Sequence, residues 1–149
     1  MEIYAIGHSN YPFEKLIDMI RKYNINCVVD IRQTPYSKYN VQYNKEALSY
    51  NLKKEGFTYI YMGKEFGATR QNKESYTERG YADFEKAVKE DIFKEGVERL
   101  KKGKYYSICI GITIALSLTQ TNTVDNGCMV QRIRDDGIFI GQQGLKYTT

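Results

Sequence analysis

The single histidine of the chain is the first candidate for chemistry because of where it stands. His8 follows a short apolar run and Gly7, and Ser9 and Asn10 come directly after it. An imidazole has a free pKa of about 6.5 and exchanges a proton near neutrality, which suits general acid–base catalysis. A lone histidine also often satisfies nearby backbone groups, so the residue types leave a catalytic role and a structural role open.

A carboxylate and a guanidinium stand two residues apart at the end of a second apolar run. Asp30 follows Cys27-Val28-Val29, where an unpaired carboxylate would be costly to bury. Arg32 projects to the same side of an extended chain and is suited to holding an anion. The pattern is compatible with a direct role in chemistry and equally with an internal ion pair or a loop cap.

A cysteine lies at the end of a later apolar run, residues 105–110. Cys109 would be a nucleophile if a neighbouring positive charge lowered its pKa, whereas cysteines at strand ends more often belong to the core. Basic and aromatic residues of two other segments could form a rim that binds bases or phosphates, with a solvated loop face as the alternative. This rim comprises Lys64, Arg70, Arg79, Tyr36, Tyr39, Tyr43 and Tyr76.

Alternating strand and helix patterns would position these candidates. Apolar runs predict strands at 3–6, 25–31, 57–62, 105–110 and 138–140. Helical spacing predicts helices at 12–22, 44–55, 83–102, broken near Gly96, and 129–136, and residues 63–79 are predicted to form a long surface loop. The order predicts one α/β domain over residues 1–149: a three-layer α/β/α fold with a mostly parallel, Rossmann-like sheet.

Ligands of such sheets bind at the carboxyl ends of the strands, which is where the candidate side chains are expected to meet. The turn before the first helix adds free N–H groups and a positive dipole end, both of which attract anions. The spacing of Gly63 and Gly67 is weak by itself, because it lacks the Lys-Ser/Thr of a P-loop. The candidate catalytic residues are His8, Asp30 and Cys109, and the candidate substrate-binding residues are Ser9, Asn10, Arg32, Ser37, Lys64 and Gly67.

Composition excludes several other classes of protein. A net charge of +4 is compatible with an anionic ligand but is far from the dense basic stripe of a dedicated nucleic-acid binder. Three cysteines without a CxxC pair predict no disulfide framework and no metal site, and no cofactor is indicated. The start lacks a signal-peptide pattern and polar residues dilute the uncharged run 105–124, so we expect a cytoplasmic protein without a membrane helix.

Several stretches of the chain match one family in order and spacing. They are Ile6-Gly7-His8-Ser9, Val29-Asp30-Ile31-Arg32 with Pro35 and Ser37, Tyr43-Asn44-Lys45-Glu46 with Leu48, and Gly56-Phe57-x-Tyr59 leading to Gly63 and Gly67. Over about residues 3–110 and 129–140 the chain resembles the bacterial and archaeal family catalogued as domain of unknown function number 488. The resemblance implies a polar site on His8, Ser9, Asp30, Arg32 and Cys109, and it assigns no activity.

The chain departs from that family after Cys109. Family members resembling it carry an acidic residue followed by a Cys-His-Arg triplet that opens a helix, whereas residues 111–127 lack this combination and have Asp125 as their one charge. A compensated frameshift and a locally rewritten segment both explain this difference.

The first functional hypothesis is an enzyme acting on an anionic, phosphate-bearing or nucleic-acid-related substrate. The alternatives are a non-catalytic nucleotide- or nucleic-acid-binding module and a degenerate paralogue.

Overall fold

The computed structural model describes residues 2–6, 11–67, 69–102, 107–111, 123–125, 128–133, 138–140 and 145–147. The strands are β1 (Glu2–Ile6), β2 (Cys27–Asp30), β3 (Thr58–Tyr61), β4 (Ser107–Gly111), β5 (Thr123–Asp125), β6 (Cys128–Ile133), β7 (Ile138–Ile140) and β8 (Leu145–Tyr147). The helices are α1 (Phe13–Lys22), α2 (Lys45–Lys54), α3 (Gly63–Phe66), α4 (Phe84–Ala87) and α5 (Asp91–Lys102), with short 3-10 turns at Val41–Tyr43 and Lys73–Ser75.

Six of the strands form one sheet in the order β3-β2-β4-β1-β6-β5. The pairs β3–β2, β2–β4 and β4–β1 are parallel, whereas β1–β6 and β6–β5 are antiparallel. β7 and β8 pair with each other in a separate antiparallel sheet. The predicted α/β class is confirmed as a mixed α/β fold.

Strand β2, second from the edge of the sheet, is apolar except at its last residue, and all four of its residues are buried. Val28 packs in one cluster with residues of α1 and α2, including Leu16, Ile20 and Leu52. Within each helix the buried side chains recur at three- and four-residue spacing, which places them on the face of that helix that meets the sheet. Burying each such side chain contributes about 1.5–3 kcal/mol, so this cluster holds α1 and α2 on the sheet.

The helical stretch expected at 83–102 is interrupted at residues 88–90, between α4 and α5, and the expected break near Gly96 is wrong. Gly96 lies inside α5, where a Cβ atom would come within 2.7 Å of Cβ of Glu65 and 3.0 Å of the ring of Phe66. Phe66 and Phe93 meet edge to face, with 5.2 Å between ring centroids. The glycine therefore serves the close packing of α3 on α5.

Two further expectations are corrected. Residues 128–133 form the strand β6, not the predicted helix at 129–136. Met129, Val130 and Ile133 fit helical spacing, but this segment pairs with β1 on one side and β5 on the other, and those ladders satisfy its backbone hydrogen bonds. The predicted loop 63–79 begins with the helical turn α3 and contains the second 3-10 turn.

No helix within the described ranges is long and apolar enough to cross a membrane.

Candidate functional site

Asp30 ends β2, and hydrogen-bond donors surround its carboxylate. Oδ1 accepts from the backbone N–H of Arg32 at 3.1 Å and from its Nε at 2.8 Å. Oδ2 accepts from Nη2 of Arg32 at 2.6 Å and from the hydroxyl of Tyr59 at 2.8 Å. Asp30 is 1% exposed and Arg32 8%. The internal ion pair, one of the two roles that the sequence left open, is therefore present, and four donors occupy the lone pairs of the carboxylate.

Two tyrosines hold this ion pair in place. Tyr59 lies on β3, and its burial together with the negative charge of Asp30 raises its pKa, so the phenol stays protonated and donates. Nη2 of Arg32 also donates to the carbonyl of Tyr43 at 2.8 Å. Tyr43 is buried, and its own hydroxyl donates to the carbonyl of Pro12 at 3.3 Å. A chain of hydrogen bonds thus links β3, β2, the following loop and the start of α1.

Asp30 lies where the connections that follow two neighbouring strands run in opposite directions along the sheet. Asp30 is in register with Gly111 of β4, and Gly111 is in register with Ile6 of β1, so three parallel strands end together. After β2 the chain continues to β3, which lies on one side of the neighbouring pair β2–β4. After β4 the chain continues to β5, which lies on the other side of that pair. Open α/β sheets bind ligands at the carboxyl edge beside such a divergence.

Two parts of the predicted site have different outcomes. His8, Ser9 and Asn10 lie outside the described residues. Cys109 lies within β4, in register with Tyr4 and Val28 and two residues before the strand ends. The catalytic roles of His8, Asp30 and Cys109 stay predictions.

The loop after β2 is fastened beside the start of α1. Nε2 of Gln42 donates to the carbonyl of Tyr11 at 3.3 Å, next to the bond from Tyr43 to Pro12. Ser37 braces this loop, because its Oγ accepts from the N–H groups of Tyr39 at 3.1 Å and Asn40 at 3.2 Å. Ser37 therefore has a structural role, and its substrate-binding role stays a prediction.

The Gly-x-x-x-Gly spacing serves close packing. A Cβ atom at Gly63 would overlap the carbonyl of Arg32 and the ring of Tyr61, and one at Gly67 would overlap the carbonyl of Gly63 and the side chain of Gln33. α3 can therefore lie directly against the loop that carries Arg32. Lys64, on the same turn, is exposed. Substrate binding by Lys64 and Gly67 stays a prediction.

Three members of the expected rim of basic and aromatic residues lie inside the fold. Arg70 is buried and pairs with Glu90, and its Nη1 donates to the carbonyls of Glu65 at 2.9 Å and Gly67 at 3.2 Å. Tyr76 bonds to the backbone of Arg70, and Tyr43 is buried. These three residues act inside the fold, whereas Tyr36, Tyr39, Lys64 and Arg79 are exposed.

Cys27, the cysteine whose side chain the structure describes, is poorly suited to act as a nucleophile. Cys27 is buried and free, and burial raises its pKa to about 11, so the thiolate is scarce at neutral pH. Within the described part of the chain, no three His, Cys, Asp or Glu side chains gather into a metal-binding group.

Tyr59 is the residue of this site that residue-by-residue reasoning did not select. A tyrosine on a strand normally indicates packing, and its hydroxyl reaches Asp30 only because β2 and β3 are neighbours in register. A signal was present, because Tyr59 belongs to the stretch Gly56-Phe57-x-Tyr59 that carries the family resemblance.

Comparison with known proteins gives one match. A family model described as "Domain of unknown function DUF488" matches residues 12–117. The match covers Asp30, Arg32, Tyr59 and Cys109, and Gly7, His8 and Ser9 precede it in the sequence. No curated protein and no solved structure matches the chain.

Proposed function

This chain belongs to the DUF488 family, and from the geometry of its site we propose that it is an enzyme acting on an anionic, phosphate-bearing substrate. The observation that carries the proposal is the buried ion pair of Asp30 and Arg32, at the carboxyl end of β2 beside the end of β4. Replacing a buried ion pair by apolar residues is often neutral or stabilising, so stability alone is a poor reason to keep one. Its place at the ligand-binding edge of the sheet supports a functional reason.

The proposed roles follow from which groups are already engaged. Because four donors saturate the carboxylate of Asp30, its role in this proposal is to orient Arg32. Arg32 then faces the anion with a fixed guanidinium. Since Asp30 compensates its charge, further attraction comes from Lys64 and from the amino end of α1, beside Ser9 and Asn10.

His8 is the acid or base in this proposal, and Cys109 is the candidate nucleophile. Proton transfer at neutral pH needs a group that titrates there, and His8 is the one histidine of the chain. Ser37, Lys64 and Gly67 complete the substrate-binding set.

We also propose that the helices cover both faces of the sheet, in the three-layer α/β/α arrangement. The crossovers from β1 to β2 and from β2 to β3 run in one direction along the sheet, and the crossover from β3 to β4 runs in the other. Right-handed crossovers would therefore put α1 and α2 on one face and α5 on the opposite face. The joint cluster of α1, α2 and Val28 supports the first half of this arrangement.

An assay of product formation tests the proposal. The purified chain is incubated with phosphomonoesters, nucleotides and short oligonucleotides, and products are separated by liquid chromatography. We expect turnover that His8→Gln abolishes and that Arg32→Lys weakens chiefly through a higher KM, since lysine cannot reproduce the bidentate geometry. Arg21→Lys, at an exposed pair with Glu55, is the matched control and should leave turnover unchanged. Unaltered turnover in His8→Gln would rule out the proposed chemistry.

A non-catalytic nucleotide- or nucleic-acid-binding module, or a degenerate paralogue, is the second candidate. The observation that favours it is the absence of a Cys-His-Arg triplet from residues 111–127. Stoichiometric binding without product across the whole panel would select it. An intact mass equal to that of the 149-residue chain would exclude a frame error in that segment.

A further inference from the structure

The loop between β2 and α2 holds three large side chains out in solvent. Tyr39 is 93% exposed, Tyr36 54% and Val41 58%. Leaving aromatic rings in water forgoes the free energy that their burial would give. Two exposed rings three residues apart in one loop are a candidate contact surface. Residues 36–41 are called the tyrosine loop below.

The tyrosine loop is ordered by its own hydrogen bonds and not by burial of its rings. The N–H of Ser37 donates to Oδ1 of Asn44 at 2.7 Å, and Oγ of Ser37 accepts from the N–H groups of Tyr39 and Asn40. The hydroxyl of Tyr36 donates to Glu46 at 2.8 Å, which fixes the direction of that ring. A surface whose shape is set in advance loses less entropy when it binds a partner.

Lysine supplies the charge within the tyrosine loop. Residues 36–41 contain Lys38 and no Asp or Glu. Lys38 lies between the two exposed tyrosines in sequence and is itself exposed. Glu46, outside the loop, accepts the hydrogen bond from Tyr36. Aromatic rings interleaved with lysine complement the stacked bases and phosphates of a single-stranded nucleic acid.

The tyrosine loop is also connected to the proposed catalytic edge. Its far end continues into Gln42 and Tyr43, which bond to the backbone of Tyr11 and Pro12 at the start of α1. Tyr43 in turn accepts from Arg32. The tyrosine loop is therefore continuous in the chain with the residues that hold Arg32 and the start of α1.

We propose that the tyrosine loop is a stacking surface for the bases of single-stranded nucleic acid. The inference rests on the proposed function and narrows its substrate from any phosphate-bearing anion to a single strand with bases. Tyr36 and Tyr39 stack on bases, and Lys38 contacts the backbone between them. The stacking is sequence-tolerant, because every base offers a flat face to a ring.

Fluorescence anisotropy with labelled single-stranded DNA and RNA oligomers tests this inference. We expect Tyr39→Ala to weaken binding by roughly 5- to 150-fold, as loss of one stacked base predicts. Tyr39→Phe, which keeps the ring, should bind like the parent protein. Tyr50→Ala and Tyr81→Ala are matched controls, since these tyrosines are 68% and 73% exposed elsewhere, and both should leave affinity unchanged.

The salt dependence of binding distinguishes the contribution of the Tyr39 ring from that of the Lys38 charge. Lys38→Gln should reduce the slope of log affinity against log salt by about 0.7, whereas Tyr39→Ala should leave that slope unchanged. The oligomers of DNA and RNA, run side by side, show which sugar the surface accepts.

Several outcomes would overturn the inference. These are no binding to single strands, equal binding to duplex DNA, equal losses in Tyr39→Ala and Tyr50→Ala, or Tyr39-dependent self-association in sedimentation without nucleic-acid binding, which would indicate a protein contact. Failure of the proposed function looks different. Tyr39-dependent binding of single strands without any product keeps the stacking surface and rejects the enzyme, whereas turnover of phosphate esters by a chain whose binding of single strands does not change in Tyr39→Ala keeps the enzyme and rejects the surface.

Discussion

Replacing Arg32 by methionine should destabilise the fold far more than replacing Arg21, although both arginines pair with a carboxylate at nearly the same distance. Nη2 of Arg32 lies 2.6 Å from Asp30, and Nη2 of Arg21 lies 2.7 Å from Glu55. The side chains of the first pair are 7% and 1% exposed, and those of the second are 57% and 37% exposed. Burial is therefore the variable that separates the two experiments.

The expected magnitudes follow from that difference. Removing Arg32 leaves Asp30 as a buried charge that keeps only the donors Tyr59 and its neighbouring backbone N–H, at a cost of about 3–5 kcal/mol. The exposed pair of Arg21 is screened by water and contributes about 0.2–1 kcal/mol. At roughly 2–4 °C per kcal/mol for a chain of this length, Arg32→Met should lower Tm by about 6–20 °C.

Urea unfolding followed by far-ultraviolet circular dichroism measures both variants, since the chain has no tryptophan to report by fluorescence. The double variant Asp30→Asn/Arg32→Met removes both charges and should recover most of the loss, because a neutral amide is far cheaper to bury than a lone carboxylate. Equal losses for Arg32→Met and Arg21→Met, or a double variant as unstable as the sum of its singles, would refute the reasoning.

Three further predictions concern other parts of the fold. Burial alone would raise the pKa of Glu90, but hydrogen bonds from Arg70 and Ser75 and the charge of Arg70 outweigh it and lower the pKa. The stability that the lowered pKa gives is present above the pKa of Glu90 in the unfolded chain and is lost as pH falls through its pKa in the folded chain. In urea titrations from pH 7 to 3, Glu90→Gln should therefore lose less free energy of unfolding than the parent protein. Identical losses in the two proteins would count against this prediction. Gly63→Ala should cost about 1–3 kcal/mol by overpacking, with an unchanged urea midpoint as the contrary result. Cys27, with its pKa of about 11, should resist iodoacetamide at pH 8 until urea unfolds the chain, as peptide mass spectrometry would show; labelling in the native state would contradict this.

The amino-acid sequence by itself determined where most elements form and which polar residues end up beside them. Apolar runs and helical spacing locate β1, β2, β3, α1 and α2 to within one or two residues, because these short-range patterns reflect which face is buried. Asp30 and Arg32 are recognisable as a pair for the same reason: a charge at the end of an apolar strand needs a nearby partner.

Tertiary structure decided what depends on residues far apart in the chain. Met129–Ile133 fits a helix as well as a strand, and only the free edge of β1 makes it a strand. Tyr59 becomes part of the site because β3 lies in register beside β2, and Gly63 and Gly96 are required because other elements pack directly against them. Each of these outcomes depends on a contact between distant segments, and no local pattern of residues encodes the identity of the partner.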